Sequence, residues 1–178
     1  MCRALSSQVN DSVAGHALMR RKRRADPGRT ISAEGLPEKA IFLDFDGVLH
    51  PANASSADWF CRMSYLVESV KKADVQIVIS SSWRFHHPMD YLMTKFPAEL
   101  RCKIVGRTAG AFVGKHARWN EIQAYCELRS IDAWRALDDS AFEFPSPCQE
   151  LVVCDGAHGM QKEQMEQIQA WLGVETEA

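Results

Sequence analysis

Five short apolar runs punctuate the chain, at residues 40–44, 76–80, 102–106, 133–139 and 150–155. Each has the length of a strand. "AIFLD", "QIVIS" and "ELVVCD" are apolar almost without interruption, which is the pattern of strands covered on both faces. Between the runs the period changes. Residues 57–73 place Phe60, Met63, Val67 and Val70 on one helical face. Residues 87–96 predict a short helix with Pro88 in its first turn. Residues 116–130 predict a helix carrying Trp119, Ile122 and Cys126 inward. Residues 160–173 predict the last helix, with Met165, Ile168 and Leu172 inward and Gly173 as its stop. Alternating strands and helices predict an α/β fold: a Rossmann-like, mostly parallel five-stranded sheet flanked by helices. Trp119, Trp134 and Trp171 fall at core periods.

Residues 1–38 show no such period and hold a basic run, Arg20 to Arg24. They read as a flexible basic tail, with the folded domain at 39–174. The tail is either a phosphate-binding arm or nuclear address, or a plain extension, with Met19 an alternative start. Charge divides accordingly. Residues 1–40 carry eight Lys/Arg against four Asp/Glu, and residues 41–178 carry thirteen against nineteen. The body therefore has no broad basic face for nucleic acid. Six scattered cysteines without a CxxC pair predict reduced thiols in a cytoplasmic protein. No apolar run approaches the roughly 18 residues that span a membrane.

The chemistry gathers where the strands end. The first run ends in Asp44, with Asp46 and Gly47 directly after. The second ends in Ser80, Ser81 and Ser82, and the fourth in Asp138 and Asp139. Parallel sheets bind ligands at the carboxyl ends of their strands. Like charges placed together there gain nothing unless a cation or a reaction uses them. Carboxylates beside a hydroxyl suit Mg²⁺, which takes hard oxygen ligands and is typically completed by substrate phosphate. A carboxylate can also attack phosphorus and split hydrolysis into two easier steps.

These motifs resemble those of the haloacid dehalogenase (HAD) superfamily. "FLDFDGVL" resembles its first motif, "QIVISSSWR" its second and "WRALDD" its fourth. The third motif, a Lys or Arg before the fourth strand, is met by both Lys115 and Arg118. "SSSWR", "RWNEI" and "ALDDS" together look most like the small HAD domains of RNA-repair and polynucleotide-end phosphatases.

The resemblance implies roles. Asp44 is the nucleophile and a metal ligand. Asp46 is the acid/base, and its backbone carbonyl binds Mg²⁺. Gly47 permits a turn and backbone approach to phosphate. Ser80, or Ser81 in its place, binds the phosphoryl group. Lys115 or Arg118 neutralises it. Asp139 and Asp138 complete the metal site. Trp83 and Arg84 follow the serine loop and are expected either to stack on a base and grip a phosphate or simply to pack. His50 is expected as a local hydrogen-bonding residue, with a substrate contact as the alternative, and His158 follows the fifth strand, where it either borders the site or lies apart from it.

Residues 47–75 and 85–117 are too short to hold a large cap domain beside their predicted elements. An open site suits macromolecular ends. The implied function is a Mg²⁺-dependent phosphatase acting through an aspartyl-phosphate on a nucleic-acid end or nucleotide. A phosphoprotein substrate and a non-catalytic HAD-like binding module are the alternatives. Dehalogenase chemistry is disfavoured, because that branch usually lacks an acid in the place of Asp46.

Overall fold

The computed structural model describes residues 38–174; the basic tail expected at 1–38 lies almost wholly outside the described residues. The elements run in order: β1 Lys39–Leu43, α1 Met63–Val70, β2 Gln76–Ile79, α2 Trp83–His86, α3 Met89–Met93, α4 Ala98–Arg101, β3 Ile104–Arg107, α5 Ala117–Arg129, β4 Ala133–Asp138, β5 Leu151–Val153 and α6 Lys162–Leu172. All four strand pairings are parallel, in the order β3-β2-β1-β4-β5.

Alternate residues of β1 feed two separate cores. Ile41 and Leu43 pack with Leu66 and Val70 of α1 and Ile168 of α6. Ala40 and Phe42 pack with Ile122, Tyr125 and Cys126 of α5. Phe42 meets Tyr125 and Trp134 edge-on, each with centroids 5.7 Å apart. A central strand covered on both faces needs apolar residues at every position, which is why its sequence shows no alternation. Burial also pushes the thiols of Cys126 and Cys154 up to about 12, so neither is a nucleophile at neutral pH.

The helix expected over 57–73 is shorter than its pattern. Only Met63–Val70 is helical, and the preceding residues form turns. The cause is tertiary. Arg62 N–H donates to the Leu49 carbonyl at 2.9 Å, tying this segment to the turn after β1. Phe60 still points inward, against Phe45 at 5.4 Å, but from a turn. Pro88 stands at the N-cap of α3, just outside the first turn where it was expected. Helices α2 and α4 have only four residues each, too few for an apolar period to reveal them. Gly173 does stop α6, with φ of 77°.

Strand β1 lies between β2 and β4, and the chain leaves it in opposite directions. The crevice beyond its carboxyl end is the switch point where such sheets bind ligands. The described residues form one unit, without a separate domain over that crevice.

Candidate active site

Adjacent parallel strands in register deliver their terminal acids to one place. Leu43 of β1 pairs with Leu137 of β4, and Asp44 N–H still donates to the Leu137 carbonyl at 3.0 Å. Asp44 and Asp138 therefore emerge side by side, with Asp139 next. Carboxylate oxygens of Asp44, Asp138 and Asp139 all lie within 4.8 Å of one another. Asp44 and Asp138 are buried and Asp139 half-buried.

Charges so close and so dry oppose one another. Burial, and then the field of Asp44, pushes the Asp138 carboxyl above the usual carboxylate range, although Arg118 and the Ser140 N–H pull it back. Burial also raises Asp139, against a hydrogen bond from Ser140. The counter-charge comes from Arg118 in the first turn of α5. Its Nη1 donates to Asp138 Oδ2 at 3.0 Å and stands 3.4 Å from Asp44 Oδ1. Burial works against the guanidinium, but Asp44, Asp138 and Glu121 outweigh it and hold the pKa above its ordinary value. One guanidinium does not balance three carboxylates. Asp44 Oδ1 in particular is buried without a hydrogen-bond partner, its contact to Arg118 being an ion pair without hydrogen-bond alignment.

At the end of β2 the two leading serines differ. Ser81 Oγ accepts a long hydrogen bond from Trp83 N–H, at 3.4 Å. Ser80 Oγ is buried and has no partner. Asp46 carries its own support. His50 Nε2 lies 3.0 Å from Asp46 Oδ1, and Trp83 Nε1–H donates to Oδ2 at 2.8 Å. His50 Nδ1 accepts from Phe60 N–H at 3.4 Å, which places the ring proton on Nε2, facing Asp46.

One family model matches this chain over residues 40–165, described as the HAD domain in Swiss Army Knife RNA repair proteins. The chain belongs to that family. Membership implies a hydrolase of phosphatase type. No curated protein and no solved structure matches the chain. No helix among the described residues is long and apolar enough to cross a membrane.

In this HAD domain the residues expected at the site take different stations. Arg118 reaches the acids, whereas Lys115 is exposed. Arg84 is buried and committed elsewhere. It binds the Ser80 carbonyl, the Ser81 carbonyl at 2.9 Å, and Glu121 of α5. It thus holds the serine loop from behind. Trp83 is turned to Asp46 and packed among Phe45, Phe60, Trp59 and His87.

Gly47 was expected to permit a turn and backbone approach to phosphate; its backbone is that of a turn glycine, and its missing Cβ also makes room for Asp139. A Cβ there would lie 2.1 Å from Asp139 Oδ2, and φ is 72°. Gly156, after β5, flanks the same oxygen, with a virtual Cβ at 2.5 Å. Gly156, Glu121 and Trp59 escaped the sequence reading. Glu121 stands three residues after Arg118, so one helical face carries both, and that spacing was the available signal. His158 pairs with exposed Asp155 at 2.8 Å.

Proposed function

We propose that this HAD domain is a Mg²⁺-dependent phosphatase that hydrolyses phosphate monoesters at exposed nucleic-acid ends through an aspartyl-phosphate on Asp44. The observation that carries the proposal is the buried Asp44 Oδ1, which accepts no hydrogen bond, among three carboxylates that share one guanidinium. That donor set fits a hard divalent cation. Asp44 and Asp139 would hold it, together with the Asp46 carbonyl that the family resemblance supplies. Asp138 is the poorer ligand, because Arg118 and Ser140 N–H already occupy its two oxygens. Bound there, Mg²⁺ would offset the repulsion of the acids and withdraw charge from the phosphoryl oxygens.

The chain's own groups perform the steps. An Asp44 oxygen attacks phosphorus, and the ester P–O bond breaks. Asp46 gives its proton to the leaving oxygen. His50 and Trp83 fix the Asp46 carboxylate, and each of its oxygens keeps a second lone pair to carry that proton. The Ser80 hydroxyl donates to a phosphoryl oxygen, and Arg118 balances the developing charge. Water then attacks the acyl phosphate, yielding its proton to Asp46. The Asp44–phosphorus bond breaks, and phosphate departs.

Two observations support nucleic-acid ends as the substrate class: the absence of a separate covering domain among the described residues, and the RNA-repair setting of the matching family. The reading places the enzyme in a reducing, cytoplasmic setting. The test is phosphate release, with and without Mg²⁺, from p-nitrophenyl phosphate, nucleotides, 3′- and 5′-phosphorylated oligonucleotides and phosphopeptides. Oligonucleotide ends are expected to give the highest kcat/KM. Preference for phosphopeptides would move the substrate to protein. No turnover on any of them would leave a binding module.

Two further outcomes are expected. Asp46→Asn removes proton transfer, typically worth about 10²–10⁴-fold. Its loss should be largest for alkyl esters and smaller for formation of the acyl phosphate from p-nitrophenyl phosphate, whose phenolate leaves without a proton. Single-turnover kinetics on both esters check this. Gly156→Ala should swing the Asp139 carboxylate aside and weaken Mg²⁺ binding by about 10–100-fold. Calorimetric titration with Mg²⁺ reads that directly, and an unchanged affinity would remove Asp139 from the metal site.

A further inference from the structure

Trp59 packs on Trp83 and lies near His50, the two residues that hold the acid/base Asp46, and it is itself exposed. It is 39% exposed, whereas tryptophan is on average highly buried. It packs edge-on against Trp83, with centroids 4.9 Å apart and planes at 76°. Trp83 is the indole whose N–H reaches Asp46 Oδ2. The residue after Trp59 is strained: Phe60 has φ of 64°, a left-handed backbone that a bulky side chain adopts only when its surroundings enforce it. That turn drives Phe60 inward against Phe45 and Phe96 and leaves Trp59 facing out. Strain of this kind next to a reactive group is a reason to look for function. Trp83 cannot serve in its place, because Phe45, Phe60, Trp59 and His87 crowd its ring.

We infer that Trp59 is a specificity residue, the platform on which the terminal nucleobase of a phosphorylated single-stranded end stacks; the inference rests on the phosphatase reading above. Asp46 protonates the leaving oxygen, so the leaving group lies on the Asp46 side of the crevice. Trp83 contacts Asp46, and Trp59 comes next in that chain of contacts, with its ring centroid 4.9 Å from that of Trp83. A nucleoside carries its base a sugar's width from the ester oxygen, so its base is carried beyond the Asp46–Trp83 contact, on the far side of which Trp59 packs. Phosphotyrosine carries its ring on the ester oxygen itself, nearer the reacting phosphorus than a nucleobase lies. Phosphoserine and sugar phosphates have no ring to stack. Every base has a π-face, so an exposed indole accepts any terminal nucleotide. Residues 41–178 carry thirteen Lys/Arg against nineteen Asp/Glu, which leaves stacking, more than charge, to supply affinity.

The experiment compares wild type with Trp59→Ala, Trp59→Leu and Trp59→Phe. Substrates are a 3′- and a 5′-phosphorylated oligonucleotide, a phosphotyrosine peptide and glycerol phosphate. The Ala and Leu variants should lose about tenfold or more in kcat/KM on the preferred oligonucleotide end, with glycerol phosphate held within about twofold. The Phe variant should keep most of the oligonucleotide activity. Full rescue by Leu would overturn the inference, because packing without a π-face would then suffice. So would an equal loss on glycerol phosphate, or a loss confined to the phosphotyrosine peptide. A second readout does not depend on turnover. Titration with the hydroxyl-ended oligonucleotide should quench tryptophan fluorescence in wild type, and much less in Trp59→Ala. Quenching by that route without turnover would overturn the phosphatase reading and keep the stacking. Turnover with equal quenching in both proteins would overturn the stacking and keep the phosphatase.

Discussion

Asp44→Asn is expected to abolish turnover, lowering kcat/KM by at least about 10⁴-fold and toward the roughly 10⁶-fold lost when a covalent nucleophile is removed. The amide keeps the shape of the side chain and one oxygen that can approach a cation. It lacks the negative oxygen that attacks phosphorus. Folding should not suffer. Asp44 is a buried acid whose Oδ1 has no hydrogen-bond partner, and removing one charge from a crowded set relieves repulsion. The thermal midpoint should therefore stay level or rise, measured without added metal. Chemical trapping with labelled substrate should mark wild type at Asp44 and leave the variant unlabelled. If Asp44→Asn turns over like wild type, the nucleophile is elsewhere.

Arg84→Met is expected to cost about 3–5 kcal/mol of stability, the usual consequence of breaking a buried ion pair from one side. Arg84 is 4% exposed and binds two carbonyls of the serine loop as well as Glu121. Burial lowers its pKa and Glu121 opposes that, so each charge depends on the other. Without Arg84, Glu121 keeps a buried charge and one hydrogen bond, from Phe112 N–H at 2.9 Å. The remaining cation within its field is Arg118, which would be drawn from Asp44 toward Glu121. Activity should fall together with stability. Urea denaturation of Arg84→Met and of the double variant Arg84→Met/Glu121→Leu decides the cause. The double variant should regain much of the stability, because no unpaired charge remains. Arg84→Lys should rescue little, since an ammonium cannot reproduce the planar fork across Ser80, Ser81 and Glu121. A loss below about 1 kcal/mol in Arg84→Met would show that the clamp is not structural.

The chain itself specifies the parallel sheet. Its apolar runs, spaced by helical periods, admit few other architectures, and the acids and serine at their ends announce a site at one edge. Local physics is enough for that, because strand and helix periods act on neighbouring residues. It was enough also for Gly173, whose left-handed φ ends α6. Other features depended on which distant groups meet. Lys115 and Arg118 were equivalent in sequence, and the first turn of α5 brings the guanidinium to Asp44 and Asp138. Ser80 and Ser81 were equivalent too, until one hydroxyl found a backbone donor and the other was buried without one. Gly47 was legible as a turn glycine, but that the space at its Cα also accommodates Asp139, ninety-two positions away in the chain, was not. Arg84 could grip a phosphate or pack and pair, and it packs behind the serine loop and pairs with Glu121. Phe60 belonged to a helical period, but a left-handed φ takes it out of the helix, in a segment tied to the turn after β1 by the Arg62–Leu49 hydrogen bond, and Trp59 is left exposed. The serines differ through a donor only two positions away; in most of the other cases the deciding term is an ion pair, a hydrogen bond or a steric exclusion between residues far apart in the chain. Local periodicity carries no information about such a contact until strand register has placed its two partners side by side.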